Sequence, residues 1–153
     1  MKKAFFPLFV DMTGRKVLVI GGGNVAERRI KTLTGFGAKI TVISPAVTGH
    51  IEHAASSGLV RLVKRKYKKG DIAALMPVLV IAAADERQAN KKAKTEAGSL
   101  GILVSVADCR DECTFIFPAI AESGDYIAGI ISKNGSHSGV KKTAKKVRGL
   151  LDP

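Results

Sequence analysis

The sequence predicts an α/β fold, a Rossmann-type parallel sheet with a small C-terminal β-plus-helix appendage. Three observations carry that expectation. Short, continuously apolar runs alternate with polar segments of helical spacing, as strands covered on both faces and their crossover helices do. The first run leads straight into three glycines, Gly21, Gly22 and Gly23. After Asp108 the rhythm changes to two apolar runs and a basic segment. The expected division falls there, with residues 1–112 as a nucleotide-binding unit and residues 113–153 as the appendage.

The elements follow in order. "KVLVI", Lys16 to Ile20, is the first strand, and the segment after the glycines keeps Ala26, Ile30 and Leu33 on one helical face. Gly35 and Gly37 end that helix. "KITVIS" is β-branched and reads as the second strand, and "GLVRLVKRKY" alternates as a third. "PVLVIAAAD" is a further apolar strand ending at Asp85. The polar "ERQANKKAKTEAGSLG" is a helix, and "ILVSVAD" is a strand ending at Asp108. "TFIFPAI" and "DYIAGIIS" are expected to pair as a hairpin across the link "AESGD". Val140, Ala144, Val147 and Leu151 then share one face of a short basic helix.

At 153 residues and 46% hydrophobic, the chain suits a compact fold with a real core. No apolar run approaches the roughly 20 residues of a spanning helix. The opening "MKKAFFPLFVDM" has a short apolar run broken by Pro7 and stopped at Asp11, with no small-residue cleavage site. It is expected to be a first strand or an extended lead-in rather than a signal peptide, which points to the cytoplasm. Cys109 and Cys113 lack metal-site spacing and read as ordinary thiols of a reducing compartment.

The formal charge is +12, so a polyanionic partner is expected. Nucleic acid is disfavoured, because aromatic residues are only 5% and no nucleic-acid motif is present. The basic residues gather in "KRKYKK", Lys64 to Lys69, and "VKKTAKKVR", Val140 to Arg148. Each run alone reads as a solvated face. Together they leave a highly anionic small molecule open as substrate.

Gly21, Gly23 and Ala26 fit G-x-G-x-x-[GA] in its proper setting, after a strand and at the start of a helix. The first glycine allows the turn, the second lets backbone approach a pyrophosphate, and the small third residue lets helix and strand pack. The helix N-terminus supplies N–H groups and partial positive charge. Dinucleotide binding is therefore expected. A Walker A loop is excluded, since no Gly-Lys-Ser/Thr follows. At the second strand's end, where many NAD sites place an acid, stands Ser44, and no arginine follows directly. The residues alone leave NAD and NADP open. Asp108 ends a strand on the side where open α/β sheets bind ligands, so its carboxylate is a candidate proton acceptor.

Several motifs, in order from about Phe5 to about Arg148, carry a resemblance. "FFPLFVDMTGRKVLVIGGGNVAERRIKTL", "VIAAADERQAN", "VSVADCRDECTFIFPA" and "IISKNG" resemble segments of the precorrin-2 dehydrogenase / sirohydrochlorin ferrochelatase family, the dehydrogenase-chelatase part of siroheme synthase. The resemblance implies NAD-dependent oxidation of precorrin-2 to sirohydrochlorin, in some members with Fe²⁺ insertion. It implies a homodimer, with the C-terminal appendage as dimerisation and substrate-contact segment. The substrate is a tetrapyrrole with eight carboxylates, which gives the basic charge a purpose. Lys64, Arg65, Lys141 and Lys142 are candidates for that attraction.

Residue by residue, the resemblance places Gly21, Gly22, Gly23, Asn24 and Val25 in the dinucleotide turn. Pro45 and Ala46, beside Ser44, lie where the second strand meets the adenosine. Ala84 lies at the cofactor edge, and Asp108 matches the catalytic aspartate. There are departures. Ala84 replaces a usual threonine, Ser105 replaces a usual asparagine, and "GSHSGVKKTAKK" lacks the usual proline. His137, nearby, reads as a surface histidine. Relatives also continue into a helical domain beyond the length seen here. These departures keep a second expectation alive, a nucleotide-sensing or tetrapyrrole-carrier module without turnover.

Overall fold

The computed structural model describes residues 3–151. They form two compact units, one of residues 9–115 and one of residues 116–151 together with 3–8. Of the opening segment, Met1 and Lys2 lie outside the described residues, and residues 3–12 form no strand or helix. No helix among the described residues is long and apolar enough to cross a membrane.

The larger unit is a five-stranded, wholly parallel sheet in the order β3-β2-β1-β4-β5. The strands are β1 (Lys16–Ile20), β2 (Lys39–Ile43), β3 (Val60–Val63), β4 (Leu79–Ala82) and β5 (Leu103–Val106). Val17 to Val19 are fully buried, as are Val80 to Ala82. This explains why the central strands read as unbroken apolar runs. Helix α1 (Asn24–Gly35) buries Ala26, Ile30 and Leu33, the face that its spacing predicts. Helix α4 (Arg87–Ser99) buries Ala93 and Ala97 together with two polar residues, Asn90 and Glu96.

Two helices that sequence patterning did not mark are also present. Helix α2 (Gly49–Ser56) is capped by Thr48, whose hydroxyl oxygen accepts the Ile51 N–H. Helix α3 (Asp71–Leu75) starts at a left-handed glycine, Gly70, with φ of 102°. Its first turn is capped from α4. The Glu96 carboxylate accepts the N–H groups of Gly70, Ile72 and Ala73 and the hydroxyl of Tyr67. Burial opposes ionisation of Glu96, but the hydrogen bonds from Tyr67 and the backbone outweigh it and hold the carboxyl below its usual range.

The exposed edge of β5 is closed by the segment that follows it. Val104 N–H donates to Thr114 Oγ1 at 2.7 Å, and Thr114 N–H donates back to the Val104 carbonyl at 2.8 Å. Val106 N–H donates to Cys113 Sγ at 3.1 Å. Both cysteines are free thiols.

The smaller unit is the antiparallel pair β6 (Ala119–Ser123) and β7 (Tyr126–Ile130), with α5 (His137–Leu151) packed on it. The hairpin is as expected, but its first strand starts later. "TFIF" is not strand, and most of the expected link belongs to β6. The Thr114 and Phe115 N–H groups are given to Val104 of β5, and Pro118 has no N–H to pair. The turn shrinks to Gly124 and Asp125, with Gly124 at φ 54°, the glycine-first geometry of a type II′ hairpin. Ser136 caps α5 by accepting the Gly139 N–H, so the helix starts without the proline that the resemblance led one to expect.

A candidate dinucleotide site at the ends of the strands

The chain runs outward from β1 to β2 and β3, then returns to β4 on the other side of β1. This reversal makes the carboxyl ends of β1 and β4 a topological switch point, where open α/β sheets bind ligands. A cavity of about 580 Å³ lies there, within the usual size range of small-molecule sites. Its floor is Gly21, Gly22 and Gly23, and its walls are the turns that follow β2 and β4.

The three glycines serve different needs. A Cβ on Gly21 would lie 2.1 Å from the Ala83 carbonyl oxygen, and the residue sits at φ 110°. A Cβ on Gly22 would lie 2.4 Å from the Ala46 carbonyl oxygen. These two are required by the protein's own packing. Gly23 is different: a Cβ there would meet nothing within 4 Å, and its φ is an ordinary −81°. Gly23 is exposed, so the space over it is open to a ligand. Gly23 also precedes α1 with no side chain capping that helix, so the first N–H groups of α1 are available to an anion. These features fit the pyrophosphate of a dinucleotide.

The cavity brings together Gly21, Gly22, Gly23, Ser44, Pro45, Ala46 and Ala84. Ser44 is buried, and its hydroxyl donates to the Ala46 carbonyl at 2.6 Å. Its side chain thus shapes the turn. Asn24 and Val25 are exposed in the first turn of α1 and do not line the cavity, so any contribution there comes from their backbone N–H groups. Sequence reading missed Lys66 and Tyr67 after β3, and Glu86 and Lys92 around the start of α4, all of which line it. The position of Glu86, just beyond a strand end, was the available signal. Lys66 Nζ pairs with Glu86 Oε2 at 3.0 Å.

Asp108 stands just past β5 and does not line the cavity. Arg87 donates to its Oδ1 at 3.2 Å and to Glu112 Oε1 at 2.5 Å. Asn90 Nδ2 donates to its Oδ2 at 3.1 Å and to the Ala84 carbonyl at 2.9 Å, and the Ala84 N–H donates to Asn90 Oδ1 at 2.9 Å. Ala84 is therefore tied to Asp108 through one side chain. Ser105 is buried, where it accepts a hydrogen bond from Arg29 at 3.2 Å. It belongs to the packing beside α1 and not to the cavity wall. Burial lowers Arg29 from its usual range.

The basic candidates divide. Lys64 pairs with Glu52 at 2.8 Å, and Arg65 grips Asp71 through two bonds of 2.8 Å. Lys141 and Lys142 lie on α5, a helix with no acidic residue, and neither forms an ion pair among the described residues. His137 is the exposed first residue of α5.

A doubly wound parallel sheet with a glycine cradle at its switch point defines a nucleotide-binding protein of the Rossmann class. Comparison narrows the class: the NAD(P)-binding family model NAD_binding_7 matches residues 8–119, and the chain belongs to that family. It is 44% identical over 144 residues to the "Probable multifunctional siroheme biosynthesis protein HemA" of Ruminiclostridium josui, covering 94% of this chain and 28% of that protein. It is 36% identical over 128 residues to a siroheme synthase of Pseudomonas aeruginosa (strain LESB58), covering 84% of this chain and 27% of that one. The chain thus spans little more than a quarter of these relatives. Among solved structures it is similar to "SirC, precorrin-2 dehydrogenase", with a TM-score of 0.78 and 27% identity, covering 95% of this chain and 70% of that one.

Proposed function

We propose that this chain is an NAD-dependent precorrin-2 dehydrogenase acting in siroheme biosynthesis, in the cytoplasm and as a homodimer. The observation that carries the reading is the uncapped N-terminus of α1 over the open space at Gly23, in a chain so similar to a precorrin-2 dehydrogenase across 95% of its length. NAD is assigned from the NAD(P)-binding family and the likeness to a precorrin-2 dehydrogenase, since the wall at Ser44, Pro45 and Ala46 carries neither an acid for a ribose 2′-OH nor an arginine for a 2′-phosphate.

Gly21, Gly22, Gly23 and the amides opening α1 would hold the pyrophosphate, and Ala84 would border the nicotinamide. A nicotinamide cofactor held there would supply the hydride acceptor that the oxidation needs. Oxidation also releases a proton, and Asp108 is the assigned acceptor. Its two oxygens each hold one hydrogen bond, and a carboxylate has about four acceptor positions, so lone pairs remain for that proton. Lys141 and Lys142 carry uncompensated charge that attracts the polycarboxylate, whereas Lys64 and Arg65 are already paired within the fold. Exposed Tyr126, Ile127 and Ile131 support a homodimer built on the hairpin unit. Fe²⁺ enters this reading only as a second substrate, inserted after oxidation.

The test is anaerobic absorbance of the purified protein with fresh precorrin-2 and NAD⁺. NADH should appear together with the sirohydrochlorin spectrum, and Fe²⁺ added afterwards tests insertion. No NADH from protein that binds both ligands would overturn the dehydrogenase reading in favour of a carrier or sensor.

A further inference from the structure

Asn90 is fully buried in the first turns of α4. A buried amide is tolerated when its polar atoms are satisfied, and here both amide hydrogens and the oxygen are engaged. Two of the three bonds close on the Ala84 backbone at 2.9 Å each. They would suffice for a clamp on the loop after β4. The third, from the remaining hydrogen of Nδ2, goes to Asp108 Oδ2 at 3.1 Å.

The other holder of Asp108 is built differently. The Arg87 side chain is 35% exposed and divided between Asp108 and Glu112. A solvent-facing guanidinium with a second carboxylate available can leave Asp108 at little cost. Asn90 cannot, because its amide is pinned at both ends to a backbone that lines the cavity.

We propose that Asn90 is a positioning residue for the reaction. It fixes the Asp108 carboxylate in register with the cavity wall at Ala84 and leaves the other acceptor positions of Asp108 free for the substrate proton. The inference rests on the reading of Asp108 as the base. Glutamine is one methylene too long for both Ala84 bonds, and aspartate lacks the donor hydrogens.

The test uses the full chain with Asn90→Ala and Asn90→Asp, the second keeping both the shape and an acceptor for the Ala84 N–H. Three-bond couplings about Asp108 χ1 should report a single rotamer in the wild type and averaging in both variants. This readout is independent of turnover, and a mere clamp on Ala84 would not move it. With precorrin-2, kcat should fall by about 30- to 100-fold, while KM for the tetrapyrrole changes less than about threefold; KM for NAD⁺ should rise as well, because both variants also lose a bond to Ala84. Unchanged Asp108 couplings, or a kcat within threefold of wild type, would overturn the proposal. Asp108→Asn separates the two ideas. If it retains turnover, the base assignment fails while the couplings still decide whether Asn90 positions Asp108. If it is inactive and the Asn90 variants turn over normally, the Asn90 proposal fails alone.

Discussion

The glycine cradle at the end of β1 and the Asp108 cluster at the end of β5 are made in opposite ways. The cradle is backbone: its shape comes from φ angles, the missing Cβ atoms of Gly21 and Gly22, and the open space at Gly23. The Asp108 cluster is side chain: Arg87 and Asn90 reach it from α4, and Glu112 shares Arg87 from the turn after β5. A backbone site is written in consecutive residues and tolerates almost no substitution. A side-chain site is assembled from residues far apart in sequence and fails by degrees.

The largest expected effect breaks the cradle. In Gly21→Ala the new methyl would overlap the Ala83 backbone at a φ that alanine resists, so the chain should lose about 3 kcal/mol or more, read by thermal or urea unfolding. Gly23→Ala sharpens the point. Its methyl meets no protein atom and its φ is ordinary, so stability should change by less than about 1 kcal/mol, the cost of alanine at a helix cap. Calorimetric affinity for NAD⁺ should nevertheless fall by about tenfold or more, because the methyl fills the space over the helix N-terminus. Unchanged affinity in Gly23→Ala would mean that the open space is not a phosphate site.

That contrast also explains what could be read from the sequence. The cradle and the five strands were legible because each is a local pattern: a glycine turn between an apolar run and a helical stripe. Helix α2 was hidden because Ile51 is its one buried residue, too few for a periodic signal. Helix α3 was hidden because its cap, Glu96, lies 26 residues beyond Gly70. The partners of Asp108 were hidden for the same reason, since Asn90 and Arg87 precede it by 18 and 21 residues. Ser105 stood out only as a departure from the resemblance; its partner, half-buried Arg29, lies 76 residues away and left no local signal.

A middle-sized effect lies at Glu96, a side-chain device that supports the backbone site by fixing Tyr67 at the cavity. Glu96→Gln keeps the shape but loses the charge that four donors require, and should cost about 2 kcal/mol. The pH dependence has a definite sign. The Glu96 carboxyl is held below its ordinary value near 4.5 in the folded chain. The unfolded chain therefore takes up protons first as the pH falls. The stability that Glu96 contributes is complete above about pH 5.5 and is lost as the pH drops through 4.5 and below. Asp71, lowered chiefly by its hydrogen bonds from Arg65, adds to the same acid limb. Unfolding curves of Glu96→Gln between pH 3 and 7 should show a shallower acid loss than wild type. An identical slope would show that Glu96 has the same pKa in the folded and the unfolded chain.

The smallest effect tests whether charge at the cavity mouth matters beside backbone shape. Lys66 and Glu86 both line the cavity and pair with each other, yet their side chains are 75% and 56% exposed. An exposed pair contributes under about 1 kcal/mol, so neither Glu86→Gln nor Lys66→Gln should shift unfolding by more than that. Their effects on the dinucleotide should have opposite signs. Removing the Glu86 carboxylate leaves Lys66 uncompensated toward an anionic pyrophosphate, and NAD⁺ should bind about two- to fivefold tighter at low salt. Removing Lys66 leaves Glu86 facing the same anion, and binding should weaken by a similar factor. Both changes should fade near 1 M salt, where screening extends over only about 3 Å. Shifts of the same sign in the two variants, or shifts that persist at high salt, would assign the effect to altered shape at the mouth. The affinity would then belong to the glycine cradle alone.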